Sequence, residues 1–175
     1  MVLIYLCYNT PMKTIYLIRH AKSDWSDFSI NDAKRGLSER GKKDIPLMAN
    51  ELHKKNIKPD LIISSSSNRT KLTVEGIFKR LNYSTEIIYD DELYLANPKT
   101  ILSLIQNVND KYKSIFVVGH NPGITDFANL MSDADIENIP TLGIVALKCE
   151  VKKWKECKYH DAKVEFFIYP KMFKK

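Results

Sequence analysis

Arginines and histidines that follow apolar runs are the residues in this sequence best suited to chemistry. Arg19 and His20 end the run IYLIRH, and Arg69 follows a second run, DLIISSSSN. His120 follows a third run, SIFVVG. Guanidinium groups form a planar fork of N–H donors that matches phosphate oxygens, and a neutral imidazole can act as a nucleophile or a base. These residue types predict an anion site, and phosphate is the anion that they favour.

An Arg-His pair on its own is a weak signal, because short motifs of this kind more often lie at a solvated strand end. Arg69 on its own would likewise be interpreted as a solvated side chain in the first turn of a helix. A positive side chain there opposes the helix dipole unless an anion supplies the missing negative charge. The prediction therefore depends on whether the chain brings these segments together.

Apolar runs and helical periodicities alternate along the chain and predict an α/β fold with a mostly parallel sheet. Strands are predicted over residues 15–18, 60–64, 85–89 and 114–118, and two further β-rich segments over 143–150 and 164–169. Helices are predicted over residues 38–55, 68–81, 98–108 and 124–131. Pro46 is expected near a displaced start of the first helix or in a kink, and residues 21–36 are expected to form a long loop. Parallel strands end at one edge of a sheet, and that edge should collect Arg19, His20, Arg69, His120, Asp91 and Glu92.

Length and composition predict a single domain. The chain has 175 residues, 44% hydrophobic residues and a net charge of +6, which suffices for one core and favours anionic partners. Residues 1–12 are predicted to be an N-terminal extension or the product of an upstream translation start, followed by one domain over residues 13–175. The apolar residues 2–8 are too few to cross a membrane and lack a basic leader, so we expect a cytoplasmic protein without a membrane partner.

The cysteines and the missing motifs exclude several classes of site. Cys7, Cys149 and Cys157 are odd in number and lack metal-type spacing, which predicts free or buried thiols in a reducing compartment. The sequence has no nucleotide or dinucleotide loop and no carboxylate cluster suited to Mg²⁺, and zinc bound by His20 and His120 would lack a third ligand. Aromatic and basic residues are not interleaved as in a single-strand-binding platform. We therefore expect no cofactor, no metal and no nucleic-acid partner.

Three segments, LIRHAKS, SSSSNRTKLT and VGHNPG, resemble the histidine phosphatase superfamily, also called phosphoglycerate mutase-like. The resemblance extends over about residues 13–170 and is to the small SixA-type phosphohistidine phosphatase branch. It implies a three-layer α/β/α sandwich with a mostly parallel central sheet. It also implies that His20 is phosphorylated during turnover, while Arg19, Arg69 and His120 bind the phosphate.

The chain departs from the family pattern near these motifs. Ala21 stands where a glycine commonly follows the Arg-His pair, and Ser65-Ser66 stands where many relatives have Ser-Pro. Thr70 and Leu72 also replace the usual residues, whereas Thr73 matches. These changes affect the register of Arg69 more than that of His20.

The sequence therefore predicts a metal-independent phosphatase that works through a phosphohistidine intermediate on His20. The chain has no obvious inserted cap, which favours phosphohistidine in proteins as the substrate, and Glu92 or Asp91 is the expected general acid. A small-molecule phosphomonoesterase or mutase is the alternative enzyme, and a non-catalytic phosphoprotein or nucleic-acid binding module is the alternative from another class. The oligomeric state is left open, with a monomer favoured. Arg35 is expected either to touch substrate or to pair with Asp32 or Glu39, and we favour the structural role.

Overall fold

The computed structural model describes residues 11–174, which form one six-stranded sheet and four α-helices. The strands are β1 (Lys13–Arg19), β2 (Leu61–Ser65), β3 (Glu86–Asp90), β4 (Ser114–Gly119), β5 (Ile144–Cys149) and β6 (Ala162–Ile168). The helices are α1 (Glu39–Lys54), α2 (Asn68–Leu81), α3 (Pro98–Gln106) and α4 (Gly123–Ser132). Short 3₁₀ helices lie at Asp32–Lys34, Asp91–Leu93, Trp154–Glu156 and Pro170–Phe173. Cys7 and all but the last two residues of the predicted N-terminal extension lie outside the described residues.

The sheet has the strand order β3-β2-β4-β1-β5-β6. The pairs β3–β2, β2–β4 and β4–β1 are parallel. The pairs β1–β5 and β5–β6 are antiparallel, and the consecutive strands β5 and β6 form one edge of the sheet. The mostly parallel sheet predicted from the sequence is therefore confirmed.

Helices cover both faces of this sheet and produce a three-layer α/β/α sandwich. On one face α1 and α2 bury Ile45 and Ile77 against Ile62 of β2. On the other face α3 and α4 form a core that includes Phe127 and Ile63 of the same strand. Adjacent strand residues point to opposite faces, so the uninterrupted apolar run in β2 supplies both cores at once. The three-layer architecture implied by the sequence resemblance is confirmed.

The predicted elements lie within one or two residues of the observed ones. α2 spans Asn68–Leu81 as predicted, whereas α3 ends at Gln106 because Asn107 forms its C-cap. A displaced start of α1 at Pro46 is wrong. The Ser38 hydroxyl caps the helix by accepting from a backbone N–H in its first turn, and the helix continues through the proline.

Cys149 and Cys157 are buried free thiols, as predicted. Within residues 11–174, no helix combines the length and the apolar character that a membrane span requires.

The start of α1 packs directly against the backbone that follows His20. The carbonyl oxygen of Lys22 accepts hydrogen bonds from the backbone N–H of Ser38 over 2.9 Å and from its hydroxyl over 3.1 Å. Gly41 lies against the same carbonyl, and a Cβ atom at this position would approach that oxygen to 2.3 Å. This close contact fixes the position of the chain just beyond the predicted nucleophile.

We expect Gly41→Ala to destabilise the protein by about 1–3 kcal/mol, because the added methyl group forces the Lys22 backbone away from α1. The loss should occur although alanine has the higher helix propensity. Gly36→Ala is the matched control, since its Cβ atom would meet no heavy atom closer than 3.9 Å. Urea denaturation of the three proteins measures the effect, and equal stability of Gly41→Ala and Gly36→Ala would contradict it.

Candidate active site

Two histidines lie side by side at the carboxyl end of the parallel strands. β1 and β4 pair with Arg19 opposite Gly119, and the backbone N–H of His20 donates to the carbonyl oxygen of Gly119 over 3.1 Å. His20 and His120 are thus the first residues after two paired strand ends. The centroids of their rings are 5.1 Å apart, so segments that are remote in sequence contribute to one site.

Arg69 reaches this site from the first turn of α2, and only 4% of its surface is exposed. Its Nη1 donates to the carbonyl oxygen of Asp32 over 2.6 Å, and its Nη2 donates to the Asp32 carboxylate over 2.9 Å. Nη2 also lies 3.3 Å from Nδ1 of His120. The interpretation of Arg69 as a solvated side chain is therefore wrong, and Asp32 supplies negative charge close to this positive side chain.

The imidazole of His20 is held in a defined orientation. Its Nδ1 lies 2.7 Å from the carbonyl oxygen of Ala21. A carbonyl oxygen can only accept, so Nδ1 carries the proton and Nε2 keeps its lone pair. The backbone N–H of Ala21 donates to Oγ1 of Thr73 over 3.0 Å, and this hydroxyl donates to the carbonyl oxygen of Arg69 over 2.6 Å. Thr73 therefore ties the chain after His20 to α2.

The tautomer of His120 follows from its neighbours. A guanidinium group can only donate, so Nδ1 of His120 accepts from Arg69. Nε2 then carries the proton and donates to the hydroxyl of Ser65, 2.9 Å away. The ring of Tyr94 packs edge-on against this imidazole, with centroids 5.4 Å apart. The network thus describes a neutral imidazole.

Both imidazoles are poor proton acceptors in this environment. Burial, assisted by the positive charges of Arg69 and Arg19, lowers the pKa of His20 from 6.5 to about 4. Burial also lowers the pKa of His120 to about 3, and His20 and Arg69 contribute to this shift. Desolvation and nearby cations both disfavour the charged imidazole, so both histidines are neutral at pH 7.

Arg19 is the last residue of β1 and lines the same pocket. Its Nη1 donates to the carbonyl oxygen of Ile139 over 2.7 Å, with the side-chain oxygen of Asn138 3.3 Å away. Its Nη2 makes no hydrogen bond within residues 11–174. Arg19 is thus anchored through one terminal nitrogen and has donors left for an anion.

Asp32 and Tyr94 belong to this site, although the sequence analysis gave Tyr94 no role and gave Asp32 only an ion pair with Arg35. The Tyr94 hydroxyl donates to the Asp32 carboxylate over 2.6 Å. Hydrogen bonds from Tyr94 and Arg69 lower the pKa of Asp32, so the carboxylate is ionised at neutral pH. It therefore occupies N–H donors of Arg69 that a phosphate would use. A hint in the sequence was the long loop 21–36, which has to leave the sheet edge and return to it.

Glu92 and Asp91 lie on the 3₁₀ helix that follows β3 at the same end of the sheet. The Asp91 carboxylate accepts a hydrogen bond from the hydroxyl of Ser66, and the side chain of Glu92 is exposed. Within the described residues, neither carboxylate forms a hydrogen bond or ion pair with the arginines or histidines of the site. The acid role of Glu92 stays a prediction.

Arg35 anchors the loop beside the pocket. Its Nη1 donates to the carbonyl oxygen of Asp27 over 3.0 Å, and its Nε lies 3.8 Å from the Asp32 carboxylate. The guanidinium also stacks on the ring of Trp25, with its carbon 4.2 Å from the ring centroid. These contacts include the ion pair with Asp32 that the structural interpretation of Arg35 anticipated.

Arg19 and His20, at the end of β1, line a cavity of about 250 Å³, whereas His120 is not among its lining residues. Its lining comprises Arg19, His20, Lys22, Ser23, Trp25, Asp32, Arg69 and Thr141. Three cationic side chains against one carboxylate give the cavity an excess of positive charge, which suits a dianion.

A larger cavity of about 560 Å³ between α1 and the C-terminal residues contains no histidine. In the part of the chain that the structure describes, no cluster of three or more His, Cys, Asp or Glu side chains is placed to hold a metal ion.

Comparisons with known proteins agree with this chemistry. Residues 15–94 match the model of the histidine phosphatase superfamily (branch 1). A solved structure from Agrobacterium tumefaciens, described as a candidate phosphohistidine phosphatase SixA, is 29% identical with a TM-score of 0.79 and covers 90% of this chain and 98% of its own. A protein histidine phosphatase SixA in complex with tungstate has a TM-score of 0.79 and 18% identity, over 92% of this chain and 99% of its own, and supports the fold alone. Phosphoserine phosphatase 1 of Hydrogenobacter thermophilus is 33% identical over 108 residues, which cover 60% of this chain and 49% of that relative.

The lowered histidine pKa values predict a pH-dependent stability. Below pH 6.5 the histidines of the unfolded chain bind protons, whereas the buried imidazoles of the folded protein stay neutral. The unfolding free energy should therefore fall as the pH drops from 6.5 to about 4. For His20 alone the loss amounts to roughly 3 kcal/mol.

Urea denaturation at pH 7 and at pH 4 measures this loss in the wild type and in His20→Gln, whose side chain does not titrate. The variant should lose less stability on acidification than the wild type does. Parallel losses in the two proteins would show that His20 protonates normally in the folded state.

Proposed function

We propose that this chain is a phosphatase of the histidine phosphatase superfamily, to whose model residues 15–94 match, and that it hydrolyses phosphohistidine in proteins. The phosphoryl group passes through a covalent intermediate on His20. The observation that carries this proposal is the Nε2 lone pair of a neutral His20, held in a pocket lined by Arg19 and Arg69. A nucleophile beside two guanidinium groups suits a phosphoryl group that carries two negative charges.

The first step transfers the phosphoryl group to the protein. Nε2 of His20 attacks phosphorus in line while the bond from phosphorus to the leaving nitrogen breaks, and the substrate ring, which carries a proton on its other nitrogen, leaves as a neutral imidazole. Arg19 and Arg69 hold the equatorial oxygens and neutralise their charge. His120 joins them once its Nδ1 takes up a proton, because that nitrogen then becomes a donor and the bound dianion favours the charged imidazole.

The second step returns His20 to its starting state. A water molecule attacks phosphorus, the bond from phosphorus to Nε2 breaks, and inorganic phosphate leaves. Nε2 regains its lone pair, while Nδ1 keeps its proton on the carbonyl oxygen of Ala21. That hydrogen bond also stabilises the phosphorylated ring, since Nδ1–H remains a donor throughout.

Phosphohistidine is the favoured substrate because its leaving group needs little help. When the other ring nitrogen of phosphohistidine carries a proton, the leaving group is a neutral imidazole, whose conjugate acid has a reference pKa of about 6.5, and it departs from phosphorus far more readily than an alkoxide does. A well-placed acid is therefore less necessary for phosphohistidine than for a phosphoester. The site geometry fits this requirement, since Asp32 is held ionised by its hydrogen bonds. In the described part of the chain, Glu92 forms no side-chain hydrogen bond or ion pair with the arginines and histidines of the site.

A small-molecule phosphomonoesterase is the alternative function, and the 33% identity to a phosphoserine phosphatase favours it. A mutase would share the pocket but would return the phosphoryl group to the substrate. Release of free phosphate, measured against formation of a phosphate isomer, separates hydrolysis from mutase activity.

We expect His20→Ala to lose phosphatase turnover by roughly 10³-fold or more, because it removes the attacking atom. The fold should survive, which circular dichroism checks. His53→Ala is the matched control, since His53 lies exposed on α1 and should keep full activity. Rapid acid-free quenching with labelled substrate should trap a phosphohistidine on the wild type and none on His20→Ala. Retained turnover in His20→Ala would refute the nucleophile assignment.

Glu92→Gln tests the predicted general acid. If Glu92 protonates the leaving group, this variant should lose about 10²-fold in kcat on a phosphoester and much less on phosphohistidine. Steady-state rates on phosphoserine and on free phosphohistidine provide the comparison. Equal effects on the two substrates would remove Glu92 from this role.

A further inference from the structure

Exposed apolar side chains are concentrated beside the phosphate pocket. Trp25, Phe28 and Ile30 of the loop 21–36 and Leu95 after the 3₁₀ helix Asp91–Leu93 form a group that we call the apolar rim. These side chains are 49%, 80%, 41% and 57% exposed, respectively. They account for four of the ten large hydrophobic residues exposed on the part of the chain that the structure describes. Scattered apolar residues are ordinary on a protein surface, but a group of them beside a pocket indicates a binding surface.

The loop that carries Trp25, Phe28 and Ile30 lines the cavity at both of its ends. Ser23 and Trp25 line the cavity at one end of the loop, and Asp32 lines it at the other. Phe28 and Ile30 lie on the short segment that connects these two parts of the cavity lining. Leu95 directly follows Tyr94, whose hydroxyl donates to the carboxylate of Asp32, a residue of the cavity lining.

Hydrogen bonds and stacking hold this loop in place. Arg35 donates to the backbone of Asp27 and stacks on the ring of Trp25. The Trp25 indole N–H donates to the hydroxyl of Ser23 over 2.9 Å, and the Asp27 carboxylate accepts from the backbone N–H of Ser29 over 2.8 Å. A preformed surface loses less conformational entropy on binding than a mobile one, so these contacts lower the entropic cost of binding at the rim.

Leu95 lies in the turn that follows the 3₁₀ helix Asp91–Leu93. Its backbone has φ of 52°, a left-handed conformation that is uncommon for a branched residue and often occurs at binding sites. The side chain is nevertheless directed outward into solvent.

We propose that the apolar rim docks the folded protein that carries the phosphohistidine, by contact with an apolar patch around the modified residue. This inference rests on the proposed function. His20 has only 8% of its surface exposed, so a projecting phosphorylated side chain can reach it while the body of its protein stays outside. That body has to lie against the mouth, where the rim is the available apolar surface. The cationic pocket then receives the phosphoryl group, and the rim contributes affinity that a free phosphorylated amino acid does not gain.

The double variant Phe28→Ser, Leu95→Asn removes two rim side chains that do not line the pocket, and asparagine tolerates the left-handed conformation. The protein probe is a single-domain phosphotransfer protein with one surface histidine, phosphorylated on that histidine with phosphoramidate. The small probe is free phosphohistidine. We expect KM for the protein probe to rise about tenfold or more, with kcat on that probe and both constants for free phosphohistidine unchanged. Met172→Ser, an exposed apolar residue of the C-terminal 3₁₀ helix, is the matched control and should behave as the wild type.

An unchanged KM for the protein probe in the double variant would overturn docking on the rim. Equal losses on both probes would also overturn it, because the substitutions would then act on the pocket. If the wild type hydrolyses neither probe, the proposed function itself fails and the docking inference falls with it, whereas activity on free phosphohistidine without a rim effect defeats the docking inference alone.

Discussion

Hydrogen bonds between β1 and β4 hold Arg19 opposite Gly119, so that His20 and His120 leave adjacent strands at the same level. The rest of the site depends on this register. A shift of one residue would turn every side chain of a strand to the other face of the sheet, and both faces here are filled by buried cores. The packing of four helices therefore fixes the separation of two catalytic candidates, although none of the packed side chains takes part in chemistry.

Burial and positive charge act together on the two imidazoles. Burial keeps His20 neutral, and the positive charges of Arg69 and Arg19, which would also hold a phosphate in the proposed reaction, add to this effect. A bound dianion would raise the pKa of His120, because its negative charge offsets the cost of a charged imidazole next to Arg69. The same pocket can thus favour a neutral nucleophile and, once occupied, a cationic partner.

Much of this organisation could be predicted from the sequence, because it follows local rules. The alternation of apolar runs with helical periodicity gave α2 its bounds, and the shared edge of parallel strands brought Arg19, His20, Arg69 and His120 together. The role of Asp32 could not be predicted in this way. It depends on the path of a long loop, and loops lack the periodicity that reports which side chain points inward. Tyr94 was missed for the same reason, since its partner Asp32 lies far away in the chain.

The internal ion pair between Asp32 and Arg69 gives the pocket an electrostatic threshold. An incoming anion has to displace the Asp32 carboxylate from Arg69. This carboxylate belongs to the same chain, so its effective concentration is high, and it also accepts a hydrogen bond from Tyr94. A chloride or carboxylate ion from solution, with a single charge, gains little from that exchange. A phosphoryl dianion brings a second charge and a third oxygen, so it would compete with the Asp32 carboxylate for Arg69 better than a singly charged ion would.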